Sequence, residues 1–223
     1  MNGGGALAQR WQALLDADPQ APAMESATPG DPPRCTRAAF EGLIQTEAHG
    51  LSQAGLAAGD VLAWLGHNST RTLALLLACE RQGIVFLPLN WRLAQPELLA
   101  IVQHAGACLV LADAAMHTLA QALNQHLRPE RLGQAGDVLL AYTSGTTGQA
   151  KGAVHTGQGM LANAQAAIAV QGLDETTRAL AVLPLFHVGG LCIQTLPTLL
   201  AGGAVLLQPR FEPQAWFDAV AAQ

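Results

Sequence analysis

The sequence predicts an α/β fold built on a mainly parallel β-sheet layered with helices. Short apolar runs recur along the chain, separated by longer segments of helical character. Those runs are apolar throughout instead of alternating with polar residues, the pattern of strands covered on both faces. Composition agrees. Half of the 223 residues are hydrophobic and 12% are charged, enough apolar material for a core and too little charge for a disordered chain.

In chain order, the N-terminal fifth is the least regular. "DPQAPAMESATPGDPPR" holds five prolines and a glycine and reads as extended chain and turns. A helix, "RAAFEGLIQTEAHGLSQAG", follows. "VLAWLG" (61–66) reads as a strand, and "STRTLALLLACERQG" as a helix with Ser69 as N-cap and Gly83 as its stop. "IVFLPL" (84–89) is a second strand, followed by Asn90, Trp91 and Arg92, read as a turn that packs. "AQPELLAIVQHAG" is a helix with Pro96 in its first turn and Gly106 past its last. Its apolar residues Leu98, Leu99, Ile101 and Val102 share one side. "CLVLA" (108–112) and "DVLLAY" (137–142) are further strands, and "GAVHT" (152–156) is β-like.

The stretch 188–208, "VGGLCIQTLPTLLAGGAVLLQ", is uncharged and long enough to cross a bilayer. Pro197 and the pair Gly202-Gly203 break it, so a buried helix, turn and strand are expected, with no transmembrane segment. "EPQAWFDAVAAQ" is a helix starting at Glu212–Pro213 that runs to the last residue without a cap. A piece of a longer polypeptide is therefore expected, an incomplete domain over 1–223 with approximate subregions 1–135 and 136–223.

Charge and cysteine usage exclude several classes. A net charge of -5 without a basic cluster argues against nucleic acid and anionic membranes. Cys35, Cys79, Cys108 and Cys192 form no C-x-x-C pair, so neither a zinc site nor a disulfide framework is indicated. Scattered free thiols and the lack of a secretory signal in "MNGGGALAQRW" point to the cytoplasm. His104, His117 and His126 lack metal-ligand spacing and read as surface residues. His155 lies in the β-like segment, either packed or near a nucleotide. Cys192 has no base at readable spacing and reads as a small core residue.

The chemistry concentrates in "YTSGTTGQAK" (142–151), which follows a strand and contains Lys151, the one lysine of the chain. Glycines let backbone N–H groups approach phosphate oxygens, hydroxyls add donors or a magnesium ligand, and lysine adds a compact charge. A Walker loop needs glycine at 150 and serine or threonine at 152, where this chain has Ala150 and Gly152. A P-loop NTPase is a poor fit.

"LLAYTSGTTGQAKGAVHT" closely resembles the phosphate-binding signature of adenylate-forming enzymes, which include acyl- and aryl-CoA ligases, luciferases and peptide-synthetase adenylation domains. That signature is a strand, then T-S-G-T-T-G-x-P-K-G, then a strand; Thr143 to Gly152 departs from it only at Ala150. The resemblance extends through "GLAAGDVLAWLGHNS", "PLNWRL" and "LPLFHVGGL" (183–191). It implies the N-terminal part of the large domain of that family, as an acyl-CoA synthetase that lacks its C-terminal domain. ATP, Mg2+, coenzyme A and a small-molecule carboxylic acid are the implied partners, and a homodimer is compatible with the full-length form. Thr143, Ser144, Gly145, Thr146, Thr147 and Gly148 would wrap the β- and γ-phosphates, with Lys151 adding charge and Thr143 ligating magnesium. His187 would lie near the acyl carboxylate, with the small pair Gly189-Gly190 leaving room for a ligand.

The resemblance also bears on substrate. Amino-acid-activating relatives commonly carry an aspartate after the phenylalanine matching Phe186. Here the residue is His187, and no acid occurs from Leu183 through Arg210. A buried ammonium group without a partner is costly, so a fatty or aromatic acid is favoured. An amino-acid-adenylating carrier-domain loader and a non-catalytic nucleotide-binding remnant are the alternatives, and these residues alone are expected to be inactive.

Overall fold

A computed structural model of the chain describes residues 5–143 and 151–221. Two sheets carry the architecture. The five-stranded sheet contains β3 (Val61–Leu65), β4 (Val85–Leu89), β5 (Ala107–Ala112), β6 (Asp137–Thr143) and β7 (Lys151–Thr156) in the order β5-β3-β4-β6-β7. Its first four strands run parallel and β7 returns antiparallel to β6. The four-stranded sheet has the order β2-β1-β9-β8, from β1 (Pro22–Ser26), β2 (Arg34–Thr36), β8 (Arg178–Ala181) and β9 (Ala204–Leu207). Both sheets draw strands from either side of residue 135. The expected α/β fold with mainly parallel strands is present.

The proline-rich N-terminal stretch departs from its expectation. It contains β1 and β2, paired antiparallel, and β1 also pairs parallel with β9. A pairing partner about 180 residues away in sequence supplies the ladder that local propensity does not.

Eight α-helices lie among the described residues: α1 (Ala6–Ala17), α2 (Arg37–Gln53), α3 (Thr70–Gln82), α4 (Gln95–His104), α5 (His117–Asn124), α6 (Gly157–Gln171), α7 (Leu196–Ala201) and α8 (Pro213–Ala221). Ser69 caps α3 by accepting from the Thr72 N–H, and Gly83 closes it at φ +69°. Nearly every residue of α3 is buried, Arg71 being the exception in its first eleven positions. The apolar run Leu73–Cys79 places α3 inside the core, and α3 lies against strands of both sheets. Leu62, Trp64 and Phe86 face it together with residues of α1, α2, α6 and α7. Alternate residues of the same strands, Val61, Ala63, Leu65, Val85 and Leu87, face α4 and α5 through Leu98, Ile101, Val102 and Leu123. The continuous apolar strands of the sequence are thus covered on both faces.

The uncharged run at 188–208 folds as a wide helical turn (Gly189–Thr195), then α7, Gly202 at φ +95°, and β9. No helix among the described residues is long and apolar enough to cross a membrane.

Carboxylates set an acid limit on this fold. Glu41 is buried, accepts from Trp11 Nε1 at 3.0 Å, and pairs with Arg81 at 2.7 Å. Asp60 pairs with Arg131 at 2.9 Å. Burial pushes both carboxyls up, but the bonds from Arg81, Gln45 and Trp11 to Glu41, and from Arg131 and the Ala57 N–H to Asp60, outweigh it and hold both below their usual values. Such groups add stability above the unfolded-state pKa and lose it as pH falls through the folded one. The melting temperature is therefore expected to drop once the pH passes below 4.5 for Glu41 and 3.8 for Asp60. Calorimetry from pH 7 to pH 3 checks this, and Glu41→Gln should flatten the acid limb; an identical limb in that variant would contradict it.

Candidate active site

The carboxyl ends of both sheets meet at one edge of the molecule. β3 ends in Gly66-His67-Asn68, β4 in Asn90-Trp91-Arg92, β8 in the 182–187 loop, and β9 in Gln208-Pro209-Arg210. Between these loops lies a cleft of about 390 Å³ lined by Asn68, Trp91, Arg92, Val182–Pro184 and Pro209–Phe211. Crevices outside the carboxyl ends of parallel strands are where open α/β sheets hold ligands.

Its walls are mostly apolar, with two cations. Arg210 pairs with Glu212 at 2.7 Å. Arg92 has no carboxylate partner among the described residues; its guanidinium lies over the ring of Trp91 at 4.8 Å and that of Phe186 at 5.6 Å. Trp91 in turn packs against His67, ring centroids 4.6 Å apart. Asp113 holds His67 by accepting from both its backbone N–H and Nδ1, each at 2.8 Å. Burial raises the Asp113 carboxyl, but the His67 and Met116 bonds outweigh it and hold it low.

The turn-and-pack role expected for Asn90 to Arg92 therefore holds for Asn90, whose Oδ1 accepts from the Arg92 N–H at 3.1 Å, and for Trp91. Arg92 goes further and presents its charge to the cleft. Asn68 also lines the cleft, and sequence reasoning passed over it. The available signal was an asparagine three residues past an apolar strand and directly before a helix cap.

The phosphate-loop candidates divide. Thr143 and Lys151, both exposed, are opposed in register where β6 and β7 end. Ser144, Gly145, Thr146, Thr147, Gly148 and the departure Ala150 lie outside the described residues. Gly152 allows the hairpin to close tightly; a side chain there would come within 2.9 Å of Leu140 and 3.1 Å of Tyr142. The Tyr142 hydroxyl meets His104 Nδ1 at 2.6 Å, which ties the hairpin to α4.

His187 is exposed in the turn between β8 and the wide helical turn. Its Nδ1 accepts from the Gly189 N–H at 2.9 Å. A neutral imidazole bonded in this way carries its proton on Nε2, which is then the nitrogen free to donate to a ligand. The space expected at Gly189-Gly190 is taken by the chain itself. A side chain at Gly190 would sit 2.3 Å from the Pro184 carbonyl oxygen, and one at Gly189 3.0 Å from His187 Nδ1. These glycines permit a close backbone approach instead of leaving a cavity.

The wide helical turn is braced from α6. Asn163 donates to the Cys192 carbonyl at 2.7 Å and Gln171 to the Ile193 carbonyl at 3.0 Å. Wide turns of this kind concentrate at functional sites. Burial pushes the Cys192 thiol up to about 11, unfavourable for a nucleophile. His104, His117 and His126 are exposed and His155 is half-buried on β7. Among the described residues no group of three or more His, Cys, Asp or Glu is placed to hold a metal.

Two sheets sharing one helical core, with a two-stranded hairpin and a cleft at their carboxyl edge, define an α/β protein of the class that holds ligands at that edge. The chain belongs to the AMP-binding enzyme family, whose profile matches residues 11–139 and 127–223. It is 36% identical over 214 residues to an indoleacetate–CoA ligase of Aromatoleum aromaticum, covering 82% of this chain and 42% of that protein. It is 38% identical over 189 residues to a feruloyl-CoA synthase of an Amycolatopsis species, covering 78% and 38%. Among solved structures, ATP-bound MatB from Rhodopseudomonas palustris superposes with a TM-score of 0.81 at 26% identity, over 96% of this chain and 48% of that one. The N-terminal domain of FACL13 from Mycobacterium tuberculosis gives 0.84 at 24% identity, over 98% and 61%, which speaks for the fold. The chain spans less than half the length of these two curated relatives.

Proposed function

We propose that this chain is part of an ATP-dependent acid–thiol ligase. The full-length enzyme activates a fatty or aromatic carboxylic acid as its acyl-adenylate, releasing pyrophosphate, and then passes the acyl group to coenzyme A, releasing AMP. The observation that carries this reading is the β6–β7 hairpin, in which Thr143 and Lys151 face each other at the two ends of the segment with the T-S-G-T-T-G sequence. Both are exposed and opposed in register, so a hydroxyl and an ammonium group stand side by side where the two strands meet that segment.

In this reading residues 143–148 bind the β- and γ-phosphates of ATP, and Lys151 offsets their charge. Thr143 would help to hold Mg2+ there. Thr143 offers one neutral oxygen, which suits a cation that takes its remaining ligands from phosphate and water. The metal would supply charge neutralisation at the phosphates. His187 Nε2 is a donor for the acid's carboxylate. Arg92, free of any carboxylate among the described residues, makes the cleft suited to an organic anion. The coupling partners named for the two relatives, indoleacetate and ferulate, support an aromatic acid, and the imidazole at 187 disfavours an amino acid.

Acid-dependent exchange of labelled pyrophosphate into ATP by the full-length enzyme tests the assignment. Exchange is expected with indoleacetate, ferulate or a long-chain fatty acid and not with amino acids. No exchange with any carboxylic acid would overturn it, and exchange with amino acids alone would move the protein to the carrier-loading class. The 223 residues by themselves are expected to form no thioester.

A further inference from the structure

Among the described residues, Asn68 makes five hydrogen bonds to residues far away in sequence, four of them to the loops that shape the cleft. Its side-chain Nδ2 donates to the Leu183 carbonyl at 2.9 Å and to the Gln208 carbonyl at 3.1 Å. Its Oδ1 accepts from the Leu185 N–H at 2.8 Å. Its backbone N–H donates to the Pro209 carbonyl at 3.3 Å, and its carbonyl accepts from the Thr28 hydroxyl at 2.7 Å. The residue is 4% exposed. Both donors of the amide are used, and its oxygen is engaged, so no water is needed to satisfy it.

These bonds join the two sheets at their carboxyl edge. Asn68 follows β3 of one sheet, whereas Leu183, Leu185, Gln208 and Pro209 leave β8 and β9 of the other. His67, one residue earlier, braces the opposite wall by its hydrogen bonds to Asp113 and its contact with Trp91. Two consecutive residues therefore set the separation between the Trp91–Arg92 wall and the 183–187 loop. That loop carries Phe186, over which Arg92 lies, and His187. Leu185, the loop residue bonded to the Asn68 oxygen, is itself buried at 1% exposure.

We propose that Asn68 is a positioning residue for the ligase reaction: its carboxamide fixes the Leu183–His187 loop against the β3 end and so places His187 and the cleft wall for the acid. The claim that it serves the reaction rests on the ligase reading; the claim that it holds the loop does not. An amide is needed because the site asks for two donors and one acceptor on a short stem. Aspartate of the same shape keeps the acceptor for Leu185 but turns an anionic oxygen onto two carbonyls.

Two readouts on the intact enzyme separate these claims. Amide hydrogen exchange of Asn68→Ala should show residues 183–187 exchanging at least tenfold faster, with α4 and β5 unchanged. Pyrophosphate exchange should show the KM for the acid raised at least tenfold with the KM for ATP within about twofold, because the ATP-binding hairpin hangs from β6 and β7 and not from Asn68. Should Asn68→Ala not fold, Asn68→Asp serves instead and should show the same two changes. Unaltered protection at 183–187 would overturn the loop assignment whatever the activity. Faster exchange of that loop with an unchanged KM for the acid would overturn the positioning role, leaving a scaffold contact. A wild-type enzyme that activates no acid would sink the ligase reading while the hydrogen-exchange result still stands or falls by itself.

Discussion

Replacing Lys151 by alanine in the full-length enzyme should lower acid-dependent pyrophosphate exchange by roughly 10- to 100-fold, with a shift in melting temperature too small to account for it. The magnitude follows from hydrogen bonds to charged groups, worth about 1.5–3 kcal/mol, at one factor of ten per about 1.4 kcal/mol. The absence of a stability effect follows from exposure: Lys151 is at the surface of β7 and its backbone, not its side chain, pairs with Thr143. Thr143→Ala should behave likewise, and Lys151→Arg should recover only part of the loss, since a planar fork does not replace a compact ammonium group. The loss should appear in the adenylation half-reaction; thioester formation from a supplied acyl-adenylate should be nearly intact. Equal losses in both half-reactions, or full activity in Lys151→Ala, would remove the lysine from the phosphate site.

The second large effect concerns stability and lies far from the cleft. Glu80, buried at the end of α3, accepts the N–H groups of Leu7 at 2.9 Å and Ala8 at 2.7 Å. Helix α1 has no side-chain cap of its own, and Gly5 stands at its N-cap position, where any side chain would meet the Glu80 carboxyl carbon at 2.4 Å. The first residue of α6, Gly157, is packed on the same carboxyl: a side chain there would come within 2.7 Å of Oε1. One carboxylate thus serves the positive ends of two helices. At its other end α1 is held by Arg37, also buried, which donates to the carbonyls of Leu14 at 2.8 Å, Asp18 at 3.3 Å and Gly202 at 2.7 Å.

Glu80→Ala would strip two buried N–H groups of their acceptor and leave a void. A cost of about 3 kcal/mol is expected, which in a protein of this size is roughly 6–12 °C in Tm. Arg37→Met should destabilise in the same direction and less, because carbonyls left under-satisfied cost less than orphaned donors. Burial pushes the Glu80 carboxyl above its usual 4.5, and the Leu7 and Ala8 bonds restrain it. A raised carboxyl contributes its stability in full below the unfolded-state value and loses it as pH rises through the folded one. The deficit of Glu80→Gln should therefore be larger near pH 4 than at pH 7. Thermal unfolding at both values measures it, and a deficit that grows toward neutral pH would reverse the assignment.

Much of this was legible in the chain because it depends on short-range order. The strands at 61–66, 84–89, 108–112 and 137–142 occur within a residue or so of where the apolar runs place them, and Ser69, Gly83, Pro96 and Gly106 do at the helix ends what their side chains dictate. The T-S-G-T-T-G segment and its following β-like run pointed to the family by their close resemblance to its signature, which is contiguous in sequence. Other features depend on partners distant in sequence. The proline-rich start became strand because β9 and β2 offered it a ladder. The glycines after His187 looked like room for a ligand, but Gly190 accommodates the Pro184 carbonyl and Gly189 the His187 ring.

What the sequence by itself determined is the family, the α/β class, and the central strands with the two helices between residues 69 and 106, since propensity, capping and loop composition act within a few residues. Only the tertiary structure decided that the strands divide into two sheets, that Glu80 and Arg37 hold α1 by its ends, and that Asn68 and Arg92 belong to the cleft. Those assignments rest largely on hydrogen bonds and ring contacts between residues distant in sequence, up to 165 positions apart. The free energy of such contacts depends on which groups the folded chain brings together, and no local pattern encodes it.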